Sequence, residues 1–209
     1  MTVDGRVLRG ERTRNLVLGT AVALAVETGL DGLSLGHLAD HLGISKSGLF
    51  THWRSKEELQ LATIDWAREQ VTDLVIRPSL RAPRGVRRLW ALHEIRLTFC
   101  DGRHPDGRFF TLAEFEYRSR PGPVRDRLAE ALDEWLAMVR RLATEAVTAG
   151  ELRPDTDVGQ LAYEIEALGI AAALQSRLLP TEPSHRYARR AVLDRLRALC
   201  PHPELLPED

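Results

Sequence analysis

The sequence predicts an all-α fold, and three observations carry that expectation. Apolar residues recur every three or four positions along nearly the whole chain, and no stretch shows the alternation of a half-buried strand. Helix start and stop signals punctuate the pattern: Ser34 and Ser45 precede apolar stripes, and Gly29, Gly43 and Gly150 follow them. The breaks at Pro78 and at Pro121, Gly122 and Pro123 fall between stripes. The helices divide into an N-terminal three-helix helix-turn-helix domain over residues 1–57 and a larger helical domain over residues 58–209.

Taken in order, a first helix over 13–28 places Val17, Ala21, Leu24 and Thr28 on one face, with Gly29 at its stop. Ser34 caps a second helix, whose stripe is Leu35, Leu38, Ala39 and Leu42. Ser45 caps a short third helix reaching about His52, and a fourth runs from Ser55 or Lys56 to about Ile76. Pro83 opens a helix ending near Cys100, and the polar cluster 101–108 precedes another over 109–118. A long helix over 124–149 carries Leu128, Ala131, Leu132, Trp135, Val139, Leu142 and Ala146, and Gly150 stops it. Helices over 158–179 and 184–199 close the order, before a loose tail.

Of 209 residues, 44% are hydrophobic and 28% charged, the balance of an ordinary globular chain with a sizeable core. No apolar run of about 18 residues exists, so no membrane span is expected. The first residues lack the apolar segment of a signal peptide, and Cys100 and Cys200 alone make neither a disulfide framework nor a metal-ligand pattern. A cytoplasmic setting is therefore expected. The formal net charge of -1 does not by itself suggest a nucleic-acid partner. Its distribution says more: Arg6, Arg9, Arg12 and Arg14 crowd the start, and Lys46, Arg54 and Lys56 follow. Phosphate contact needs such a local patch rather than a positive total. A basic tail without a partner is the plainer alternative.

The turn Leu42-Gly43-Ile44-Ser45 joins the second and third helices. Gly43 can take the positive φ such a turn requires, and Ile44 is expected to plug the space between the helices. Small and polar residues follow at the start of the third helix, Lys46, Ser47 and Gly48, where a recognition helix approaches base edges. The spacing alone leaves a plain helical hairpin as an alternative.

The string from Thr13 to Ala62 resembles the N-terminal domain of the tetracycline-repressor (TetR) family. Arg14, Gly29, Leu38-Ala39, Gly43-Ile44-Ser45, Leu49-Phe50, Trp53 and Lys56 carry the match. A long helix ending in Ala149-Gly150-Glu151-Leu152-Arg153-Pro154-Asp155-Thr156-Asp157, followed by a helical pair, resembles the family more weakly. The resemblance implies a homodimeric repressor of double-stranded operator DNA, with a helical domain that senses a small-molecule effector. It implies DNA-binding roles for Arg14, Ser34, Ser45, Lys46, Ser47, Gly48, Phe50, Thr51, His52 and Lys56. Ser34 and Lys56 would meet phosphate, and the start of the third helix would face the groove. Two departures stand out. Phe50 lacks the hydroxyl of the usual Tyr, and small Ala25 with large Trp53 reads as a volume exchange in the core.

His37 and His41 are four apart on the second helix, but nothing accompanies them, so no metal site is expected. No nucleophile elbow, P-loop or dinucleotide fingerprint is present, so neither an enzyme nor a cofactor is expected. Trp90, His93, Phe110, Glu114, Tyr117, Trp135 and Met138 are the candidate effector-binding residues. They are apolar and aromatic with few polar groups, which suits an apolar or aromatic effector, neutral or cationic rather than anionic. The plainer reading is core. The helix from Val158 is apolar on more than one face, so Leu161, Ile165, Leu168, Gly169, Ala172, Tyr187, Val192 and Leu196 are the candidate dimer interface, in a four-helix bundle across a two-fold axis. A wholly internal helix is the alternative there. The rival function is a helical ligand-binding or interaction protein whose head no longer binds DNA.

Overall fold

The computed structural model describes residues 5–101, 104–176 and 178–208, and among them there are helices and turns and no strands. The order is α1 (Gly5–Thr28), α2 (Leu35–Leu42), α3 (Lys46–Phe50), α4 (Lys56–Val71), α5 (Arg77–Ser79), α6 (Val86–Cys100), α7 (Phe109–Tyr117), α8 (Pro123–Thr148), α9 (Val158–Gln175) and α10 (Thr181–Leu199). A π-helical turn, Thr72–Ile76, lies between α4 and α5. No helix among the described residues is long and apolar enough to cross a membrane.

The chain forms two compact units, and their boundaries differ from the contiguous 1–57 and 58–209 expected. The first unit holds residues 1–70 and 108–129, and the second 71–107 and 130–209. The reason lies in where the apolar faces go. α4 stays with the head because Leu59, Ile64 and Ala67 are buried in the same core as Val17, Ala21, Leu38 and Leu49. α7 joins that core through Phe109, Ala113 and Tyr117, and the start of α8 through Val124 and Leu128. Ala25 (3% exposed) and Trp53 (5%) both lie in it, as a small-for-large exchange requires.

In the second unit the apolar stripes of α6, α8, α9 and α10 meet in one core, with Leu89, Leu92, Val139, Leu142, Leu161, Ile165, Val192 and Leu196 at its centre. Asp157 caps α9 by accepting from the Gln160 N–H at 2.9 Å. The expected ends of this helix and of α3 move inward: α9 stops at Gln175 and α3 at Phe50.

Candidate nucleic-acid interface and effector cluster

Local chemistry builds the helix-turn-helix. Ser34 sits in extended conformation before α2, and its hydroxyl oxygen accepts from the His37 N–H at 3.1 Å. Gly43 closes α2 in the left-handed region (φ 65°), which lets the Ile44 N–H reach the Ala39 carbonyl at 3.1 Å. Ser45 then caps α3, accepting from the Gly48 N–H at 3.3 Å. Leu49 alone of α3 is buried, so the rest of this short helix is offered outward. Ser55 caps α4, accepting from the Glu58 N–H at 3.0 Å, and the Glu58 side chain reaches back to accept from the Arg54 N–H at 2.6 Å.

The structure places Arg14, Ser45, Lys46, Ser47, Gly48, Phe50, Thr51, His52 and Lys56 at exposed positions and Ser34 half-buried. The side chains of Arg6, Arg9 and Arg12 lie outside the described residues. Lys46 leans over the Phe50 ring, with Nζ 5.8 Å from its centroid. A Cβ on Gly36 would lie 3.6 Å from the same Nζ, so this ammonium sits beside the first turn of α2. Thr51 donates to the Gly48 carbonyl at 2.7 Å. Ile44 corrects an expectation. It is 43% exposed rather than a buried plug, because the Gly43 turn carries the chain outward before Leu49 takes the inner position. His37 and His41 are exposed, and no group of metal-ligating residues occurs among the described residues.

Sequence reasoning missed the polar set that grips the α1–α2 turn. Glu116, near the end of α7, accepts from the Leu30 N–H at 2.8 Å and the Asp31 N–H at 3.1 Å. Gln60 of α4 donates to the Leu30 carbonyl at 2.8 Å and to the Tyr117 hydroxyl at 2.9 Å. Asp31 pairs with Lys56 at 3.0 Å and with Arg120 at 2.9 Å, and Lys56 also donates to the Asp31 carbonyl. The Lys56 bond, then the Arg120 bond, holds the Asp31 carboxyl below the usual carboxylate range. These partners stand 25 to 89 positions apart in the chain, and no local signal joins them.

The seven effector candidates divide between the units. Phe110, Glu114 and Tyr117 belong to the first. Tyr117 is engaged there by Gln60, and burial raises its hydroxyl above the usual tyrosine pKa. Trp90, His93, Trp135 and Met138 belong to the second unit. His93 is 1% exposed, with its ring 6.0 Å from that of Trp90. Neither ring nitrogen has a hydrogen bond of ordinary geometry, although the nearby Ala188 carbonyl weakly favours its proton. Burial first, then the charge of Arg96, pushes its pKa down to about 3, so it is neutral at pH 7. Trp135 donates its indole N–H to Glu166, which also pairs with Arg96 at 2.6 Å. The Arg96 guanidinium covers the Trp135 ring at 4.8 Å, and Arg189, paired to Glu94 at 2.9 Å, covers Trp90 at 5.2 Å. Glu166 and Arg189 escaped the sequence reading because charged residues on an amphipathic helix look solvated.

Five of the candidate interface residues, Leu161, Ile165, Ala172, Val192 and Leu196, are at most 2% exposed within this chain. They fill its own core, so the internal alternative holds for them. Gly169 is buried beneath Arg96: a Cβ there would lie 2.6 Å from a guanidinium nitrogen. The close approach it permits is therefore to a side chain of its own molecule. Leu168 is half-buried and Tyr187 is 65% exposed. Between α9 and α10 lies an open groove of about 300 Å³, lined by Glu164, Ile165, Leu168, Ala191, Val192 and Arg195.

Residues 85–192 match the model of a tetracyclin repressor-like C-terminal domain, which is more than half of the chain, and 17–63 match that of the bacterial regulatory proteins of the tetR family. The chain belongs to the TetR family. Members are DNA-binding transcriptional regulators and not enzymes, so this TetR chain is a transcriptional regulator with a DNA-binding helix-turn-helix domain. It is similar to the HTH-type transcriptional regulator SrpR of Pseudomonas putida, 24% identical over 150 residues covering 71% of this chain and 67% of that one. Among solved structures it is similar to a TetR transcriptional regulator from Chloroflexus aurantiacus, with TM-score 0.83 and 26% identity over 92% of this chain and 98% of the other. A putative transcriptional regulator from Saccharomonospora viridis in complex with choline shares the fold, with TM-score 0.74 and 22% identity over 88% and 95%. AibR, in complex with isovaleryl coenzyme A and operator DNA, shares it at TM-score 0.68 and 18% identity over 90% and 98%.

Proposed function

We propose that this TetR-family chain is a homodimeric cytoplasmic repressor that binds palindromic operator DNA and is released by a small organic effector. The observation that carries the reading is the capped, outward-facing start of α3. Lys46, Ser47 and Gly48 stand exposed on a helix held by Ser45, beside the first turn of α2 with Ser34 at its cap. That surface presents donors and small side chains together, as groove and phosphate contact require. Arg14 adds exposed positive charge, and Lys56, exposed but paired with Asp31, is a further phosphate ligand once released.

The dimer face we assign to the outer side of α9 and α10, which carries the exposed Tyr163 (67%), Leu174 and Tyr187 and an open groove between the two helices. A second copy of the chain would cover these apolar groups. For the effector, the His93 cluster supports an apolar or aromatic molecule. The faces of Trp90 and Trp135 already hold guanidinium groups, so a neutral ligand is favoured over a cationic one. The liganded relatives show that this fold accommodates choline and an acyl coenzyme A in other members.

Selection from a random pool of duplexes tests the DNA reading. We expect an enriched palindrome with half-sites about one helical turn apart, and a loss of that preference in Lys46→Ala. Weak, sequence-blind binding by the wild type would favour the rival reading of a degenerate head, for which Phe50 and the net charge of -1 speak.

A further inference from the structure

Asp31 is one carboxylate shared by two cations. Lys56 Nζ lies 3.0 Å from Oδ1, and an Arg120 Nη1 lies 2.9 Å from Oδ2. All three side chains are about half exposed, at 49% for Asp31, 45% for Lys56 and 51% for Arg120, so each can exchange partners with solvent or with another ion. Glu116 fixes the main chain that carries this carboxylate, accepting from the N–H groups of Leu30 and Asp31. Arg120 comes from the turn just after α7, inside the stretch that matches the C-terminal domain model, yet it meets the turn that leads into α2.

An ammonium bonded to a carboxylate is largely neutralised as a phosphate ligand. We propose that Asp31 holds Lys56 back from DNA phosphate in the free protein, and that Arg120, by competing for the same carboxylate, sets how readily Lys56 is released. This rests on the reading that Lys56 meets phosphate. When Arg120 engages Asp31 fully, Lys56 is free to turn to DNA. When the end of α7 withdraws Arg120, Asp31 closes on Lys56 and one phosphate contact is lost. A movement of α7 thus becomes a change in the charge offered by the head.

The test is fluorescence anisotropy of the full chain with a labelled mixed-sequence 30-base-pair duplex over a range of salt, which needs neither operator nor effector. Asp31→Asn should tighten binding about two- to five-fold, the range an exposed ion pair commands. It should also steepen the salt dependence by about one released counterion. Arg120→Gln should weaken binding, and this effect should vanish when Asp31→Asn is present. Asp40→Asn, on the exposed face of α2, measures the gain from simply removing a negative charge. Unchanged or weaker binding by Asp31→Asn, or a gain no larger than that of Asp40→Asn, overturns the proposal. So does an equal gain when Lys56→Gln is already present. If Lys56→Gln has no effect even alongside Asp31→Asn, the phosphate role of Lys56 fails instead. Asp31→Ser replaces Asp31→Asn should the latter lower the melting temperature.

Discussion

His93 makes the second unit sensitive to acid. The folded state keeps the imidazole neutral, with its pKa lowered from 6.5 to about 3, whereas the unfolded chain protonates it near 6.5. A lowered folded pKa means that the stability tied to this group is fully present above the unfolded value. It is lost as pH falls from about 6.5 toward about 3. One proton taken up only by the unfolded state removes about 2 kcal/mol by pH 5 and about 3 kcal/mol by pH 4, relative to neutral pH. His93→Leu replaces the ring with an apolar side chain of similar bulk and removes two poorly bonded nitrogens from the core. We expect the variant to match or exceed the wild type at pH 7.5 and to lead it by about 2 kcal/mol more at pH 5. Urea unfolding followed by circular dichroism, with both proteins at the same concentration, measures both. Carboxylates elsewhere titrate in both proteins and cancel in the difference. Parallel profiles from pH 7.5 to pH 4.5 would refute the reasoning, since they would mean that His93 gains its proton equally in the folded state.

Two further outcomes follow from close contacts. Gly29→Ala forces a side chain into φ 85° with its Cβ 3.0 Å from a Glu116 oxygen. It should destabilise the chain by about 1–3 kcal/mol in urea unfolding and speed hydrogen exchange at the Leu30 and Asp31 amides. Gly169→Ala pushes on Arg96 and loosens its pair with Glu166, which should lower stability by about 1–3 kcal/mol. Its oligomeric state by sedimentation should stay as in the wild type, because Gly169 faces its own chain; conversion to monomer would contradict that placement.

The sequence by itself determined what depends on neighbours along the chain. The caps at Ser34 and Ser45, the left-handed turn at Gly43 and the apolar stripes were all legible, because helix ends and faces are set by residues within one or two turns. The family match followed from the same local string. Only the tertiary structure decided which faces meet. Leu161 and Ile165 read in sequence as partner-facing, yet they are buried within the chain, since periodicity gives the angle of a stripe and not the identity of what covers it. Tyr117 shares its helix face with effector candidates, yet its hydroxyl is claimed by Gln60 across 57 positions of chain. Glu166 looks like a solvated charge in sequence, but it desolvates as a pair with Arg96 around Trp135 once α6, α8 and α9 converge. Such pairings arise because burial forces every polar group to find a partner, and in a packed bundle the nearest partner in space is seldom near in sequence.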